Sequence, residues 1–568
     1  MFNRFKRNFK EDPYKNRVRD IDPDEIFLDS QNLPQFDVNQ FEGRLEKPIS
    51  ARTFISFGVF CFLIFCLFLC RSFFLQVVDG QSYLEKSNSN VLKDTLLFPE
   101  RGVIYDRNGT MLAWNVAASS TAEFSLRKYD DAPGLSSVIG YLKYPQKDSS
   151  GFYYNEDFAG EDGVEKFYNT ELAGTNGLRI VEIDANGKLQ SESTVRPPVD
   201  GQNITLSIDA NLQTELYGRI ASLAASIGFT GGAGVIMDVK TGEIVALVSY
   251  PEYDSQVMTD RTDTKAINQL LADKNNPFLN RAIDGLYTPG SIVKPFMALA
   301  ALSENIIDPS TKILSTGSIS LPNPYDPEHP SIFRDWRPQG WVDMRQAIAV
   351  SSDVYFYEIG GGYQDQKGLG INLIDKYMGM FGFGKDLPDG FFKSGNSGTV
   401  PSPEWKAENF NNENWLIGDT YHTAIGQYGW QVTPIQMVRA VASIANNGKL
   451  LNPSILAGGD PNDFTELPIN PDYFQIVREG MKMDVEGGVA SGLNVPYMTL
   501  GAKTGTAQLG TQNQFLNSWV TGFFPYDDPK YAFAVVMEQG PATNSIGGVY
   551  VMRQVFDWME ANEPDYLK

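Results

Sequence analysis

The stretch GLYTPGSIVKPFMALAAL, Gly285 to Leu302, places a hydroxyl at Ser291 and an amine at Lys294, directly after Pro289-Gly290. Pro-Gly does not sit inside a helix, so the pair predicts a helix that begins at about Ser291. Residues three apart then share one side of its first turn. A serine hydroxyl is a weak nucleophile until a neighbouring base takes its proton. A lysine amine can be that base where burial or nearby positive charge disfavours its ammonium form. The apolar PFMALAAL that follows predicts a buried helix and a desolvated Lys294. Taken alone, the spacing is better explained by a capped helix with a solvated lysine.

Two later stretches shift that balance. AVSSDVYFY carries Ser351, Ser352 and Asp353 at the end of a helix-like run, and GAKTGTAQ carries Lys503, Thr504, Gly505 and Thr506. Lys-Thr-Gly on a strand edge offers an ammonium, a hydroxyl and backbone free of a side chain. That combination suits a substrate carboxylate held along the strand by main-chain bonds. Each stretch also has a plain reading, as a turn hydroxyl or a surface lysine. A second Lys-Thr-Gly, at 240–242, fits a hairpin turn better. The order S-x-x-K, S-x-D, K-T-G is what separates the chemical reading from the plain one, because three independent matches in sequence resemble the set used by penicillin-binding proteins and class A β-lactamases.

The length of 568 residues predicts two or more domains. The net charge of −22 argues against a nucleic-acid partner, which requires a basic face. All three cysteines lie in one apolar run, Phe54 to Cys70, so no disulfide framework or thiolate metal site is available beyond it. With the SFFLQVV that follows, that run reaches the roughly 20 residues needed to cross a bilayer. It predicts a retained membrane anchor at 53–78, since no A-x-A-like cleavage site follows it. Basic residues are more frequent before the span than just after it, which predicts a cytoplasmic N-terminal tail, 1–52, and an extracytoplasmic remainder.

Beyond the span, QSYLEKSNSNVLKDTLL reads as a polar helix leading into extended chain, and PERGVIYDRNGTMLAWN as two short strands joined at Asp106–Gly109. Helical SSVIGYL and GVEKFYNTEL and the strand-like GLRIVEID predict a mid-sized α+β module at 79–203. Asp209 is a candidate N-cap for a long amphipathic helix, and GGAGVIMDVKTGEIVALVSY reads as a hairpin. SWVTGFFPY and KYAFAVVMEQ are strand runs near the C-terminus, and VYVMRQVFDWMEA a closing helix. Strands from both ends with helices between predict an antiparallel sheet flanked by helices over 204–568.

In these stretches the chain resembles the class B penicillin-binding proteins, membrane-anchored D,D-transpeptidases that cross-link peptidoglycan. PERGVIYDRNGTMLAWN and GVEKFYNTELAGTNG resemble the family's pedestal motifs. NRAIDGLYTPGSIVKPF, GDTYHTAIGQYGWQVTPIQM and KTGTAQ resemble its transpeptidase blocks. The resemblance implies an α+β protein with one transmembrane helix, an elongated pedestal (dimerisation-like) domain and a serine β-lactamase-like catalytic domain. It implies that Ser291 is acylated by the D-Ala-D-Ala donor with Lys294 as base, and that Ser351 relays a proton to the leaving amine, helped by Lys503. Lys503, Thr504 and Thr506 would bind the donor carboxylate beside Gly505. The N–H groups of Ser291 and Thr506 would form the oxyanion hole. Asp353, where the division type usually has Asn, points to the elongation type called penicillin-binding protein 2. The implied partners are stem peptides on lipid II-derived glycan strands, β-lactam antibiotics and, by analogy, a SEDS-type glycosyltransferase within an elongation complex.

No cofactor is expected. Some elongation-type members carry zinc ahead of the second motif, but FRDWRPQGWVDM has Trp341 where those have Gly-His-Gly, so no metal is expected despite Asp335. His329 and His422 are read as solvated-loop or packing residues. A β-lactamase needs a second base, and ENFNN, Glu408 to Asn412, lacks the Leu of the E-x-x-L-N it imitates. A D,D-carboxypeptidase keeps the same three motifs with water as acceptor, against which the pedestal and anchor weigh. A β-lactam sensor or silent scaffold calls for a larger signalling part than the tail supplies. A bifunctional class A enzyme calls for a glycosyltransferase pattern that the roughly 130 residues after the span lack.

Overall fold

A computed structural model describes residues 50–83, 92–117, 119, 122–183, 189–323, 326, 328–510, 512 and 514–568. The expected tail therefore lies almost entirely outside the described residues, as do 84–91 of the polar segment after the span. Contacts divide the chain into two units, 1–91 and 92–568.

In the first unit, Ala51–Phe73 is an α-helix continued by a π-helical turn, Phe74–Val78. Ser50 caps it by accepting the N–H of Thr53. Its phenylalanines and leucines are exposed all round, the pattern of a helix whose solvent is lipid. At 28 residues it is long and apolar enough to cross a membrane.

The second unit begins with the pedestal. Gly177–Ile183 is the central strand of a three-stranded antiparallel sheet between Leu92–Leu97 and Leu189–Arg196. Ile104–Tyr105 and Met111–Val116 form the hairpin that the Asp106–Gly109 turn predicts, with Leu126–Tyr129 beside the second strand. Ile204–Thr205, just past the expected module, runs parallel to Ile104–Tyr105 and completes this sheet. Beneath it Glu165 is fully buried, 2.6 Å from Arg101 and 2.8 Å from Arg127. Burial alone raises its carboxyl; the two guanidinium groups outweigh that and hold it below the usual carboxylate range.

The catalytic-domain candidate is built on five antiparallel strands: β1 (Gly231–Asp238), β2 (Ile244–Tyr250), β3 (Gly501–Leu509), β4 (Phe515–Phe524) and β5 (Tyr531–Pro541). Their order is β2-β1-β5-β4-β3. The two ends of this region therefore meet in the middle of one sheet, as Val235 opposite Ala534 shows. β1 and β2 are buried on both faces and read as continuous apolar runs. One face packs on helices Ala210–Ile227 and Gly548–Asn562, through Leu212, Leu216, Ile220, Val555 and Phe556. Asp209 caps the first of these, accepting N–H bonds from Asn211 and Leu212. The other face packs on the fully buried helix Pro434–Ala445. β3 is an edge strand, so its outer side is free for a ligand.

Pedestal and catalytic region are joined by buried polar bonds. Gln213 donates to Gly134 O (2.5 Å) and Leu247 O (2.6 Å) and accepts the N–H of Leu247 (2.7 Å). Glu252 accepts the N–H groups of Gly134 at 2.5 Å, Ser136 at 3.0 Å and Ser137 at 3.4 Å. Burial nevertheless pushes the Glu252 carboxyl up to about 7, outweighing those three amides. A carboxyl raised in the folded state contributes stability that is fully present below its ordinary value and lost as pH rises through about 7. Thermal unfolding should therefore show this contact weakening between about pH 4.5 and 7, by up to roughly 3 kcal/mol. Glu252→Gln should flatten that part of the pH profile; an unchanged profile would exclude Glu252 as its source.

Candidate active site

Ser291 sits on a 3-10 turn, Gly290–Val293, and the α-helix proper is Lys294–Ser303. The predicted helix start is thus displaced by three residues. Pro295 explains this: it has no N–H for the carbonyl of Ser291 four residues back, so Lys294 N–H bonds that carbonyl instead. Gly290 has φ +59°, and a Cβ there would lie 2.9 Å from Thr506 O, so turn and edge strand meet backbone to backbone. The Gly290 N–H to Gly426 O bond (3.0 Å) and Trp519 Nε1 on Thr288 O (3.0 Å) fix the turn.

Lys294 is fully buried. Its Nζ donates to Ser351 O at 2.8 Å, Ser351 Oγ at 3.2 Å and Asp353 Oδ1 at 2.7 Å. First and second motifs are therefore locked together through one amine. Ser351 holds φ +55°, a conformation that costs a non-glycine residue about 1–3 kcal/mol and collects at functional sites. It lies between helices Met344–Ala349 and Asp353–Gly361, so Asp353 opens a second helix rather than ending the first. Ser352 caps that second helix. Asp335 Oδ2 accepts Ser352 Oγ at 2.8 Å, Ser315 Oγ at 3.0 Å and Val354 N–H at 3.1 Å. The residue considered as a metal-ligand position is thus the internal anchor of the second motif. Among the described residues no three His, Cys, Asp or Glu side chains cluster as a metal site.

On β3, Thr504, Thr506 and Gln508 face the groove. Gly505 is buried, and a Cβ on it would lie 2.5 Å from Pro289 O. Lys503 points inward and is fully buried, 3.2 Å from the equally buried Asp484. Burial lowers the Lys503 amine; Asp484 opposes this, the nearby Lys294 adds to it, and the net is downward. The other Lys-Thr-Gly is the predicted hairpin turn, with Lys240 exposed and 3.2 Å from Asp528.

Ser291, Ser351, Asp353, Thr504 and Thr506 all line one cleft of about 740 Å³, with Lys294 and Lys503 buried beneath it. The cleft also takes Arg334, Trp336, Tyr357, His422 and Gln427. His422, read from sequence as a loop or packing residue, instead faces this cleft. Its ring lies 5.4 Å from Phe333, and desolvation by the groove walls lowers its pKa against the opposing pull of Asp419 and Asp353, although the residue is open to the groove. Nothing in GDTYHTAIG marks it, because helical spacing does not tell a groove face from a core face. Asp484 is equally unmarked in an ordinary amphipathic helix, Pro471–Gly487. Glu408 does not line the cleft.

Residues 232–556 match the penicillin binding protein transpeptidase domain, and residues 118–206 the penicillin-binding protein dimerisation domain. The chain belongs to the penicillin-binding protein transpeptidases. The peptidoglycan D,D-transpeptidase MrdA of Escherichia coli (strain K12) is 28% identical over 85% of this chain and 90% of its own length. Pseudomonas aeruginosa PBP2, solved in complex with WCK 5153, is similar with a TM-score of 0.66 at 31% identity, over 83% of this chain and 98% of that one. Helicobacter pylori PBP2, solved in complex with MreC, gives 0.66 at 26% identity, over 83% of this chain and 100% of that one.

The anchoring role of Asp335 is open to test. Asp335→Ala should leave the Val354 N–H and the Ser315 and Ser352 hydroxyls short of a buried acceptor, each costing about 1–3 kcal/mol. Denaturant unfolding should register the loss, and acylation should slow with it, because Ser351 and Asp353 lose their support.

Proposed function

We propose that Ser291 is the nucleophile of a serine D,D-transpeptidase that cross-links peptidoglycan stem peptides during cell elongation. The observation that carries this reading is the convergence of three motifs, far apart in sequence, on one cleft. Ser291 Oγ attacks the penultimate D-Ala carbonyl of a donor stem, and the peptide bond to the terminal D-Ala breaks. Lys294 takes the hydroxyl proton as general base, and Ser351 delivers a proton to the departing amine. The N–H groups of Ser291 and Thr506 stabilise the oxyanion. Thr504, Thr506 and Lys503 hold the donor's terminal carboxylate. An acceptor amine then attacks the acyl-enzyme, loses its proton and frees Ser291. A β-lactam mimics the donor and stops at the acyl stage.

The elongation assignment is supported by the MrdA relatives and by Asp353 in the second motif. The domain reading is a tail at 1–52, a span at 53–78, a pedestal at 79–203 and a catalytic domain at 204–568. The N-terminus is cytoplasmic and the catalytic domain extracytoplasmic, on the basic bias before the apolar helix. A SEDS-type glycosyltransferase supplies the glycan strands. The Helicobacter structure with MreC supports membership of an elongation complex.

The purified protein should be labelled covalently by a fluorescent penicillin, and Ser291→Ala should abolish the label. Lys294→Ala should slow labelling by about 10²–10⁴. Unlabelled wild type, or a labelled Ser291→Ala protein, would refute the nucleophile assignment. With stem-peptide substrate, D-Ala release should accompany cross-linked product; free tetrapeptide would mark a carboxypeptidase.

A further inference from the structure

The two lysines of the cleft are each matched to a carboxylate of their own. Lys294 has Asp353, partly open to the groove, at 2.7 Å. Lys503 has Asp484, and neither side chain of that pair touches solvent. One oxygen of Asp484 is used structurally, since Oδ1 accepts the N–H of Ala490 at 2.7 Å. Oδ2 has no other hydrogen-bond partner among the described residues and lies 3.2 Å from the Lys503 amine. Beyond Asp484, that amine donates to Thr504 O at 3.2 Å. The helix holding Asp484 ends at Gly487, and Val489, two residues on, already lines the cleft.

We infer that Asp484 is a positioning residue for donor recognition: its buried carboxylate keeps Lys503 protonated beneath the strand that receives the substrate carboxylate. This rests on the donor-carboxylate reading of β3 given above. A lysine removed from water discards its proton unless an anion holds it there. The groups facing Lys503 are Asp484 from helix Pro471–Gly487, Lys294 from the nucleophile helix and Asp353 from the second-motif helix. Asp353 is already spent on Lys294, whose own charge works against that of Lys503. Asp484 is the carboxylate close to Lys503 that is not paired with the other lysine, and its Oδ2 is turned to this amine. Burial raises its carboxyl, and Lys503, followed by the backbone N–H groups of Ala490 and Val489, opposes that without cancelling it, so the amine is the largest single influence that keeps the group charged. Thr504 and Thr506 supply hydrogen bonds to an arriving carboxylate, and the charge behind them comes from Lys503.

The test uses two thioester donors, identical except that the leaving thiol bears a carboxylate in one and a carboxamide in the other. Acylation of the full-length protein in detergent is followed by thiol release. Asp484→Asn should slow acylation by the acid donor about 10–100-fold, the scale of a lost hydrogen bond to a charged group, and change the amide donor less than about threefold. Lowering the pH should restore the acid rate in the variant, because Lys503 is reprotonated; a packing defect would not respond. Equal loss on both donors, or an unchanged acid preference, overturns the proposal. Wild type that fails to prefer the acid would instead refute the carboxylate reading of β3 itself. If Asp484→Asn does not fold, Asp484→Ser, whose hydroxyl can still accept Ala490 N–H, carries the same comparison. Loss of folding in both assigns Asp484 to the core alone and overturns the proposal.

Discussion

Two lysine amines buried within one catalytic centre set the terms for everything around them. A cation removed from water is expensive unless anions and hydrogen-bond acceptors replace the solvent it lost. Lys294 finds them on the second motif, in Asp353 and in both oxygens of Ser351. Lys503 finds them in Asp484 and Thr504 O. Each lysine therefore fastens a separate piece of chain to the cleft: Lys294 the second-motif helix, Lys503 the end of helix Pro471–Gly487. The chemistry and the tertiary structure share the same bonds, and a change at either amine is felt in both.

The second constraint is steric. The nucleophile turn and the edge strand approach so closely that Gly290 lies against Thr506 O and Gly505 against Pro289 O. No side chain fits between them, so the nucleophile turn and the edge strand meet through backbone alone. Pro295 contributes from the opposite side by denying the Ser291 carbonyl its α-helical partner and holding the serine on a tighter 3-10 turn. Asp335 then supports the strained backbone around Ser351 by gathering Ser352, Ser315 and Val354. Strain at Ser351 persists because its neighbours are fixed on both sides.

The parts of this architecture that can be read from sequence are those set by local chemistry. Continuous apolar runs and the Lys240-Thr241-Gly242 turn reveal the β1–β2 hairpin, Asp209 marks a cap, and the three motifs mark the cleft. The parts that cannot be read depend on which face of an element meets which neighbour. Asp484 is one acid among several on an amphipathic helix, and only the packing of that helix against β3 turns it towards Lys503. His422 sits in a short helix whose outward face happens to be the groove. Asp335 could be weighed as a metal-ligand position from its place ahead of the second motif, yet the three donors to its Oδ2 come from two separate segments, at 315 and 352–354. The α-helix starts at Lys294 and not at Ser291 for a local reason, the effect of Pro295 on the preceding turn, which is legible in the sequence itself.

Charge balance in the cleft has a consequence for recognition. Each buried lysine stands against one carboxylate, Asp353 or Asp484, so Asn at position 353 would remove one of the two negative groups from the centre. The chain as a whole carries −22, so at long range it does not attract an anionic wall polymer. On the proposed reading, the donor carboxylate is therefore selected at contact distance, by Thr504, Thr506 and the charge of Lys503 behind them, and not by a field reaching into solvent. Capture at short range favours a donor already delivered to the cleft over one diffusing freely. On the same proposed reading, a membrane-anchored enzyme working on strands made beside it meets that condition, because tethering raises the local concentration of donor ends without any long-range attraction.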